Sequence, residues 1–398
     1  MLLLTVFVEM AGFGLIVPFL PFWAERFGAS PTLVALLMST YAICQFASSF
    51  FWGWASDRIG RKPIVLVSLA GSVIAYLWLA QADALWMLFA ARALNGAMGG
   101  TLPVAQAFVA DLTAPERRAR GMGLLGATMG CGFIMGPALG ALLAGGDAAA
   151  PDFATPFRVA AAFSAAAFVF GLILLRNPPR AAAPLVPGGV GARLRAIGAV
   201  LAMPAVAWPI AANVLFSFVM SGVESTFVLW TERQFGWGPR ANGYLLAYLG
   251  AVMVLAQGVL VGRLAARLGE ARVALLGAFV FALGLAASPL AALLVPGSAL
   301  PCVIVGSALL AAGLGLGQPS LHGLTSRNAP PERQGAVLGA GQSCQSLARI
   351  AGPAFAGFLF TSYGRHAPYL VGAVLVLIAA ALALRFAPIS PRRRSAGR

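Results

Sequence analysis

Apolar stretches of about 20 residues recur along the whole chain and are separated by short polar breaks. Each stretch is long enough to cross a hydrocarbon core of about 30 Å as a helix, which satisfies its own backbone hydrogen bonds in lipid. Only 10% of the 398 residues are charged and 60% are hydrophobic, which leaves too few polar residues to cover a soluble domain. We therefore predict an all-α membrane protein with twelve transmembrane helices.

The net charge of +15 would suit a nucleic-acid-binding protein, but the positions of the cations argue against one. Most of the 27 Lys and Arg residues fall in every second polar break and in the C-terminal tail, as Arg58, Arg117 and Arg393 do. This is the positive-inside asymmetry, which sets the orientation of a membrane protein. We expect both termini in the cytoplasm, the lipid bilayer as the surroundings, and no nucleic-acid partner.

The chain also contains an internal repeat. Gly53–Leu66 is similar to Gly262–Leu275, and Trp23–Gly28 is similar to Trp230–Gly236. Parallel repeats of six helices with a binding site between them are a transporter architecture. We predict two pseudo-symmetric six-helix bundles at residues 1–178 and 201–388. A cytoplasmic linker at residues 179–200 joins them, and a basic cytoplasmic tail follows at residues 389–398.

A charged loop motif, G-x-x-x-D-R-x-G-R-K, follows the second predicted span. Its fixed residues are Gly53, Asp57, Arg58, Gly60, Arg61 and Lys62. Gly60 permits a tight turn, and Asp57 can pair with a neighbouring cation or a helix N-terminus. The motif resembles the gating loop between helices 2 and 3 of the major facilitator superfamily, and this resemblance implies a conformational latch that favours the outward-open state. The alternative is that its cations only set the topology.

A glycine motif lies in the fifth predicted span. Its residues are Gly123, Gly132, Gly136, Pro137 and Gly140. Glycines at this spacing leave one helix face smooth for close packing, and a proline bends the helix. The motif resembles the antiporter motif of the superfamily's drug/proton exporters and so implies export, although generic packing of small residues remains open.

Ionisable residues inside predicted spans are candidates for proton coupling. They are Glu9, Arg92 and Glu224. A charge at the centre of a span costs about 2.5–3.5 kcal/mol on insertion scales, which suits an acid that takes up a proton. Glu9 opens a segment that resembles span one of the tetracycline and multidrug efflux branch, and Arg92 resembles the superfamily's R-x-x-Q-G motif with Asn95 in place of Gln. An interfacial place for Glu9 and a structural hydrogen bond for Glu224 remain open.

The substrate cavity is predicted from polar and aromatic residues on the inner helices. The candidates are Phe13, Gln45, Gln106, Phe133, Asn213, Phe216, Gln257, Gln318 and Gln342. Asp111 and Arg349 are two further charges expected to be buried, and Arg349 is a candidate counter-charge in the second half. The four cysteines and two histidines show no metal-ligand spacing, so we expect no metal site and no catalytic residues.

These features predict a proton-coupled secondary active transporter that exports drug-like small molecules by alternating access, in antiport with protons. We expect a monomer in a bacterial inner membrane, driven by the proton gradient without a cofactor. The alternative is a transporter of the same fold for a polar metabolite, such as a sugar or an amino-acid derivative. A membrane enzyme would need a nucleophile–base pair, a metal-ligand cluster or a phosphate-binding loop, and the sequence shows no such motif.

Overall fold

The computed structural model describes residues 2–99, 102–113, 118–144, 152–175, 190–294, 299–330 and 333–386, and within these ranges it contains helices and no strand. The first half comprises α1 (Leu2–Ile16), α2 (Leu20–Arg26), α3 (Pro31–Ile59), α4 (Arg61–Ala80), α5 (Leu85–Gly99), α6 (Leu102–Leu112), α7 (Arg118–Leu143) and α8 (Ala154–Leu174). A helix in the linker, α9 (Val190–Leu201), precedes the second half. The second half comprises α10 (Pro204–Phe235), α11 (Pro239–Leu255), a π-helical segment (Ala256–Leu260), α12 (Val261–Leu268), α13 (Glu270–Leu294), α14 (Ala299–Asn328), α15 (Gln334–Tyr363) and α16 (Ala367–Phe386).

Length and hydropathy identify many of these helices as membrane spans. Eight segments of the described chain are long and apolar enough to cross a membrane, and the bent pair of α1 and α2 would add a ninth. The predicted spans that fall short of this test are α5 with α6, α15 and α16. The all-α membrane fold is confirmed, whereas the count of twelve spans stays a prediction.

The turns between helices define two ends of the bundle. Gly60 and Gly269 form equivalent turns after α3 and α12, with φ of 102° and 83°, a conformation that residues with a side chain rarely adopt. We call this the basic end, because the predicted basic loops lie there. The opposite end, called the closed end below, contains the turns at Gly28, Gly236 and Gly364.

The two halves repeat the same helix pairs. In the first half α1 packs against α7 and α4 against α8, and in the second half α10 packs against α15 and α13 against α16. Across the halves, α3 contacts α15 and α7 contacts α11. These two cross-contacts join the halves, and a shared binding site would lie between them.

Two local features differ from the simplest reading of the sequence. The chain bends by 42° between α1 and α2, where Pro18 lacks a backbone N–H and disfavours helical geometry in the residue before it. The end of the predicted linker forms α9, and this helix packs against α10 and α15. Residues 176–189 and the predicted tail lie outside the described residues.

Candidate transport pathway

Polar contacts join the two halves at the closed end. Arg233 Nη2 donates a hydrogen bond to Glu25 Oε1 at 2.9 Å, which is also an ion pair. Thr32 Oγ1 donates to the Gly357 carbonyl at 3.2 Å and lies 3.0 Å from Thr361 Oγ1. Glu25 and Thr32 belong to the first half and their partners to the second, so these contacts hold this end shut.

A further polar contact joins the halves nearer the middle of the bundle. Ser39 Oγ donates to the Ile350 carbonyl at 2.9 Å, near the middle of α3 and α15. Closer to the basic end, several glycines face open space, because a Cβ built on them would meet no described atom within 4 Å. They are Gly53, Gly126, Gly262, Gly335 and Gly339. Glycines at the closed end, such as Gly28 and Gly364, face open space as well, so the closed end is defined by its polar contacts between the halves.

The glycines of the fifth predicted span bring α7 against α1. Gly132, Gly136 and Gly140 are spaced four residues apart and therefore share one face of the helix. A Cβ on Gly132 would lie 2.8 Å from the Phe7 carbonyl oxygen, and one on Gly136 would lie 2.8 Å from the Leu15 backbone nitrogen. Such separations are too short for a real side chain, so the close approach of the two backbones requires glycine.

Another face of α7 contacts α11 in the second half. A Cβ on Gly243 would lie 2.6 Å from the Pro137 carbonyl oxygen, and one on Gly250 would lie 2.7 Å from Ile134 Cγ1. The same helix therefore closes its own half and bears on the other half.

An apolar pocket lies beside this contact between the halves. Gly14, Val17 and Phe133 line it from the first half, and Met220 and Glu224 are among the residues that line it from the second. Glu224 is half-buried and is the one ionisable residue among those lining residues. An acid in such a setting favours a proton or a positively charged group beside it, because an isolated carboxylate is costly away from water.

Arg92 is a fully buried cation on α5. It is 1% exposed, and its guanidinium carbon lies 4.5 Å from the Tyr41 ring centroid and 5.8 Å from that of Phe13. Its Nη2 lies 3.9 Å from Met38 Sδ, while Nε and Nη1 have no hydrogen-bond partner among the described residues. Aromatic faces therefore supply much of its stabilisation.

Tyr41 links the charges of the two halves. It lies within electrostatic range of Glu9, Arg92 and Arg349. Arg349 is exposed on α15, so the prediction that it is buried was wrong. It lies within electrostatic range of Glu224. The structure thus brings together, in one region between the halves, four charges that lie far apart in the sequence.

A family model described as Major Facilitator Superfamily matches residues 2–353 and, in a second match, residues 258–398. The chain belongs to the major facilitator superfamily. It is accordingly a multi-pass membrane transporter for small molecules and not an enzyme.

Two relatives within the superfamily resemble the chain over nearly its whole length. A class G tetracycline resistance protein of Vibrio anguillarum is 32% identical over 393 residues, which cover 94% of each chain. Multidrug resistance protein 2 of Bacillus subtilis is 27% identical over 386 residues, which cover 96% of this chain and 93% of the relative.

Solved structures of other superfamily members have the same fold. The human organic anion transporter MFSD10 is 23% identical, with a TM-score of 0.71 and coverage of 96% of this chain and 97% of that chain. A D-xylose-proton symporter is 16% identical, with a TM-score of 0.77 and coverage of 97% of both chains. At these identities the likeness concerns the fold alone.

The charged loop motif that resembles the superfamily's gating loop lies at the basic end. Arg61 Nη1 and Asp57 Oδ1 form an ion pair at 2.6 Å, and the Arg58 guanidinium lies 4.3 Å from the Trp54 ring centroid. Lys62 Nζ donates to a backbone carbonyl of α8 at 2.7 Å. These contacts tie the loop to its own half, and its role as a latch stays a prediction.

The predicted cavity residues lie in different places. Phe13 and Phe133 stack with ring centroids 6.4 Å apart, next to the pocket. Gln45 donates to the Tyr41 hydroxyl at 3.1 Å. Phe216, by contrast, is 1% exposed and stacks on a phenylalanine of α13 inside the second half, with centroids 5.2 Å apart. The structure therefore places Phe216 in the core of the second half and not between the halves.

The remaining predicted residues are more scattered. Asn213 is 1% exposed, and its Oδ1 has no hydrogen-bond partner among the described residues. Gln318 Nε2 lies 3.4 Å from the hydroxyl of Ser217, so it bridges α14 and α10 within the second half. Three glutamines are exposed, on α6, in the π-helical segment and on α15. They are Gln106, Gln257 and Gln342.

Two candidates lie partly outside the described residues. Asp111 and Gly123 lie on α6 and α7, but the side chain of Asp111 and the surroundings of Gly123 are outside the described residues. Nor does the described part of the chain contain a group of three His, Cys, Asp or Glu side chains that could hold a metal ion.

Sequence reasoning missed Tyr41 and Tyr76. Tyr41 stacks on the Arg92 guanidinium, and the Tyr76 hydroxyl hydrogen-bonds the side chain of Asn95, three residues beyond Arg92. A tyrosine inside a span needs a hydrogen-bond partner for its hydroxyl group, and this requirement could have identified both residues from the sequence. The π-helical segment in the middle of the eighth predicted span left no comparable signal, although such segments are frequent at functional sites.

Proposed function

We propose that the protein is a proton-coupled antiporter that exports drug-like small molecules by alternating access. The apolar pocket between the halves, with Glu224 as the one ionisable residue among its lining residues, carries this proposal. An apolar compound fits the lining, and a proton or a cationic group of the compound fits the acid. Because both would compete for the same carboxylate, binding of one favours release of the other.

The direction of transport follows from the charges at the two ends. The positive-inside rule assigns the basic end to the cytoplasm of a bacterial inner membrane, with both termini on that side. With the closed end on the outer side, the transporter would then be open to the cytoplasm, which is the state that takes up a compound for export. Tetracycline resistance and multidrug resistance proteins among the relatives support this direction.

Coupling requires that the proton change the balance between the two states of the transporter. A ligand shifts such a balance only by binding one state more tightly than the other. Arg349 lies within electrostatic range of Glu224 and of Tyr41 in the opposite half, so neutralising Glu224 alters the charge balance between the halves. The proton gradient is then the energy source, and we propose a monomer that needs no cofactor and binds no nucleic acid.

Energised inverted vesicles with a pH-sensitive dye test the proposal. A panel of lipophilic compounds, tetracycline, sugars and amino-acid derivatives is added in turn, and substrate-induced release of protons is recorded. We expect release with lipophilic compounds, and a loss of at least tenfold in Glu224→Gln because the variant cannot exchange a proton. Asp83→Asn removes an exposed acid at the closed end and is the matched control, with release unchanged.

Two results would contradict the proposal. Export that continues at the wild-type rate in Glu224→Gln, or in the presence of a protonophore, would show that this acid does not couple protons to transport. Proton release with a sugar or an amino-acid derivative, and none with lipophilic compounds, would favour the alternative of a polar-metabolite transporter.

A further inference from the structure

The closed end contains a second group of ionisable residues that faces across the two halves. Glu25 lies at the end of α2 in the first half, and Glu232 and Arg233 lie at the end of α10 in the second. Arg233 Nη2 contacts Glu25 Oε1 at 2.9 Å. The carboxyl groups of Glu25 and Glu232 lie within hydrogen-bonding reach of each other.

The second half holds Arg233 in place for this contact. Its guanidinium lies 5.0 Å from the Phe360 ring centroid on α15, and its backbone carbonyl accepts a hydrogen bond from Arg365 Nη1 at 2.6 Å. The side chains of Arg233 and Glu25 are 40% and 21% exposed, so both remain within reach of protons from solvent. The cation is thus anchored in one half and pairs with an acid of the other.

Two carboxyl groups can hydrogen-bond each other only if one of them carries a proton. When both are ionised they repel, and a single Arg233 then faces two negative charges that belong to opposite halves. We propose that Glu25, Glu232 and Arg233 form a proton-dependent gate, in which one proton shared by the two carboxyl groups keeps the closed end shut. The proposal rests on the alternating-access cycle inferred above and adds a second protonation site to it.

Other titratable groups at this end have different partners. Arg26 lies 5.9 Å from the Phe153 ring centroid, and Asp152 accepts hydrogen bonds from the backbone of α8. His366 Nδ1 accepts a hydrogen bond from Trp230 Nε1, and burial together with the Arg365 guanidinium lowers the pKa of His366. Arg158 and Arg240 are exposed on α8 and α11.

The sign of the pH effect follows from the proton count. The shut gate holds one proton more than the open gate, whose separated carboxyl groups ionise in water. The shut state is therefore favoured at low pH, and its ratio to the open state falls by at most about tenfold per pH unit as the pH rises. With the closed end facing the acidic outer side, protons from outside would drive the return to the state that is open to the cytoplasm.

Distances between spin labels test the gate without any transported compound. Labels on Asp83→Cys and Arg240→Cys, in a full-length background that lacks the four native cysteines, report the separation of the halves at the closed end. The purified protein is titrated from about pH 5 to about pH 9. We expect the short distance to predominate at low pH and a longer one to grow as the pH rises.

Variants then assign the effect to these residues. In Glu232→Gln the amide can donate to Glu25 without a titratable proton, so the short distance should persist at every pH. Glu25→Gln loses the ion pair with Arg233, so the longer distance should grow and its pH dependence should vanish. Glu270→Gln, which removes an acid paired with Arg327 at the basic end, is the matched control and should titrate as the wild type does.

A distance distribution that does not change with pH, or an unchanged titration in Glu232→Gln, would overturn the gate. Because no substrate is present, this result is independent of the proton-release assay. A normal titration in a protein that exchanges no compound for protons would retain the gate and reject the proposed export function.

Discussion

The two halves pack equivalent helix pairs with different residues at equivalent places. The Gly136-Pro137 pair of α7 recurs as Gly352-Pro353 in α15. The glycines four residues before and after Gly136 are replaced by alanines in the second half, at Ala348 and Ala356. Backbones therefore touch over about two turns of α1 and α7, but at one principal point between α10 and α15, where a Cβ on Gly352 would meet the Phe218 carbonyl.

This difference indicates that the two helix pairs tolerate change unequally. α7 contacts α1 within its own half and α11 in the other half, so a shift of α7 disturbs both contacts. In the second half, the small residue at one of these contacts is supplied by α10 and not by α15, since Gly222 on α10 lies against Ala356. The repeat thus preserves the close approach of the helices without preserving which helix supplies the glycine.

The largest effect is expected from Gly136→Ala. The added methyl group would meet the Ala11 carbonyl and the Leu15 nitrogen, and backbone atoms cannot move aside as a flexible side chain does. We expect at least a tenfold loss of transport per cell, measured by efflux, with less folded protein in the membrane. Gly126→Ala on the same helix meets no described atom within 4 Å and should behave as the wild type. Equal activity of the two variants would contradict the role given to the glycine face.

An intermediate effect is expected from the arginines of the two halves, because they differ in burial. Arg92 is 1% exposed between two aromatic rings, whereas Arg349 is exposed on α15. Arg92→Lys loses the planar stacking on Tyr41 and should destabilise the protein by about 1–2 kcal/mol. Arg349→Lys should cost less than about 0.5 kcal/mol. Thermal unfolding in detergent compares the two, and a larger loss for Arg349→Lys would reverse the comparison.

The exchanged glycine gives a third test, in which the measured quantity is the part of a stability loss that a second substitution restores. In Gly222→Ala the new methyl group would lie 2.9 Å from Ala356 Cβ, and such overpacking costs about 1–3 kcal/mol. Adding Ala356→Gly removes that contact and should restore part of the loss, whereas Ala356→Gly alone should cost about 1 kcal/mol. Unfolding midpoints of the three variants give the coupling between the two sites. Additive losses would show that the two residues do not exchange roles.

The sequence predicts much of this architecture because membrane helices leave strong local signals. Apolar length gives the helical membrane fold, the internal repeat gives the two halves, and the spacing of Gly132, Gly136 and Gly140 gives the face of α7 that needs a close neighbour. The neighbour itself does not follow from spacing. A repeat of four residues identifies one face of a helix but not the helix that it meets.

Features that depend on contact between the halves could not be predicted in this way. Glu25 and Arg233 are 208 positions apart, and each by itself resembles an ordinary charged residue at the end of a span. Phe216 is an aromatic residue of the type expected in a cavity. The direction of its side chain, however, depends on the orientation of α10 relative to α13. Tyr41 is likewise one aromatic residue among many until its contact with Arg92 is known.

The position of α7 has a mechanical consequence. Its contact with α1 is made by backbone against backbone within one half. We therefore expect these two helices to move together as a rigid body. The contact with α11 also brings backbones together, at Gly243, but it joins separate halves, which must move relative to each other during alternating access. When the transporter changes between its two states, we expect α7 to slide along α11. The contact between these two helices would then lie on the axis about which the halves rotate.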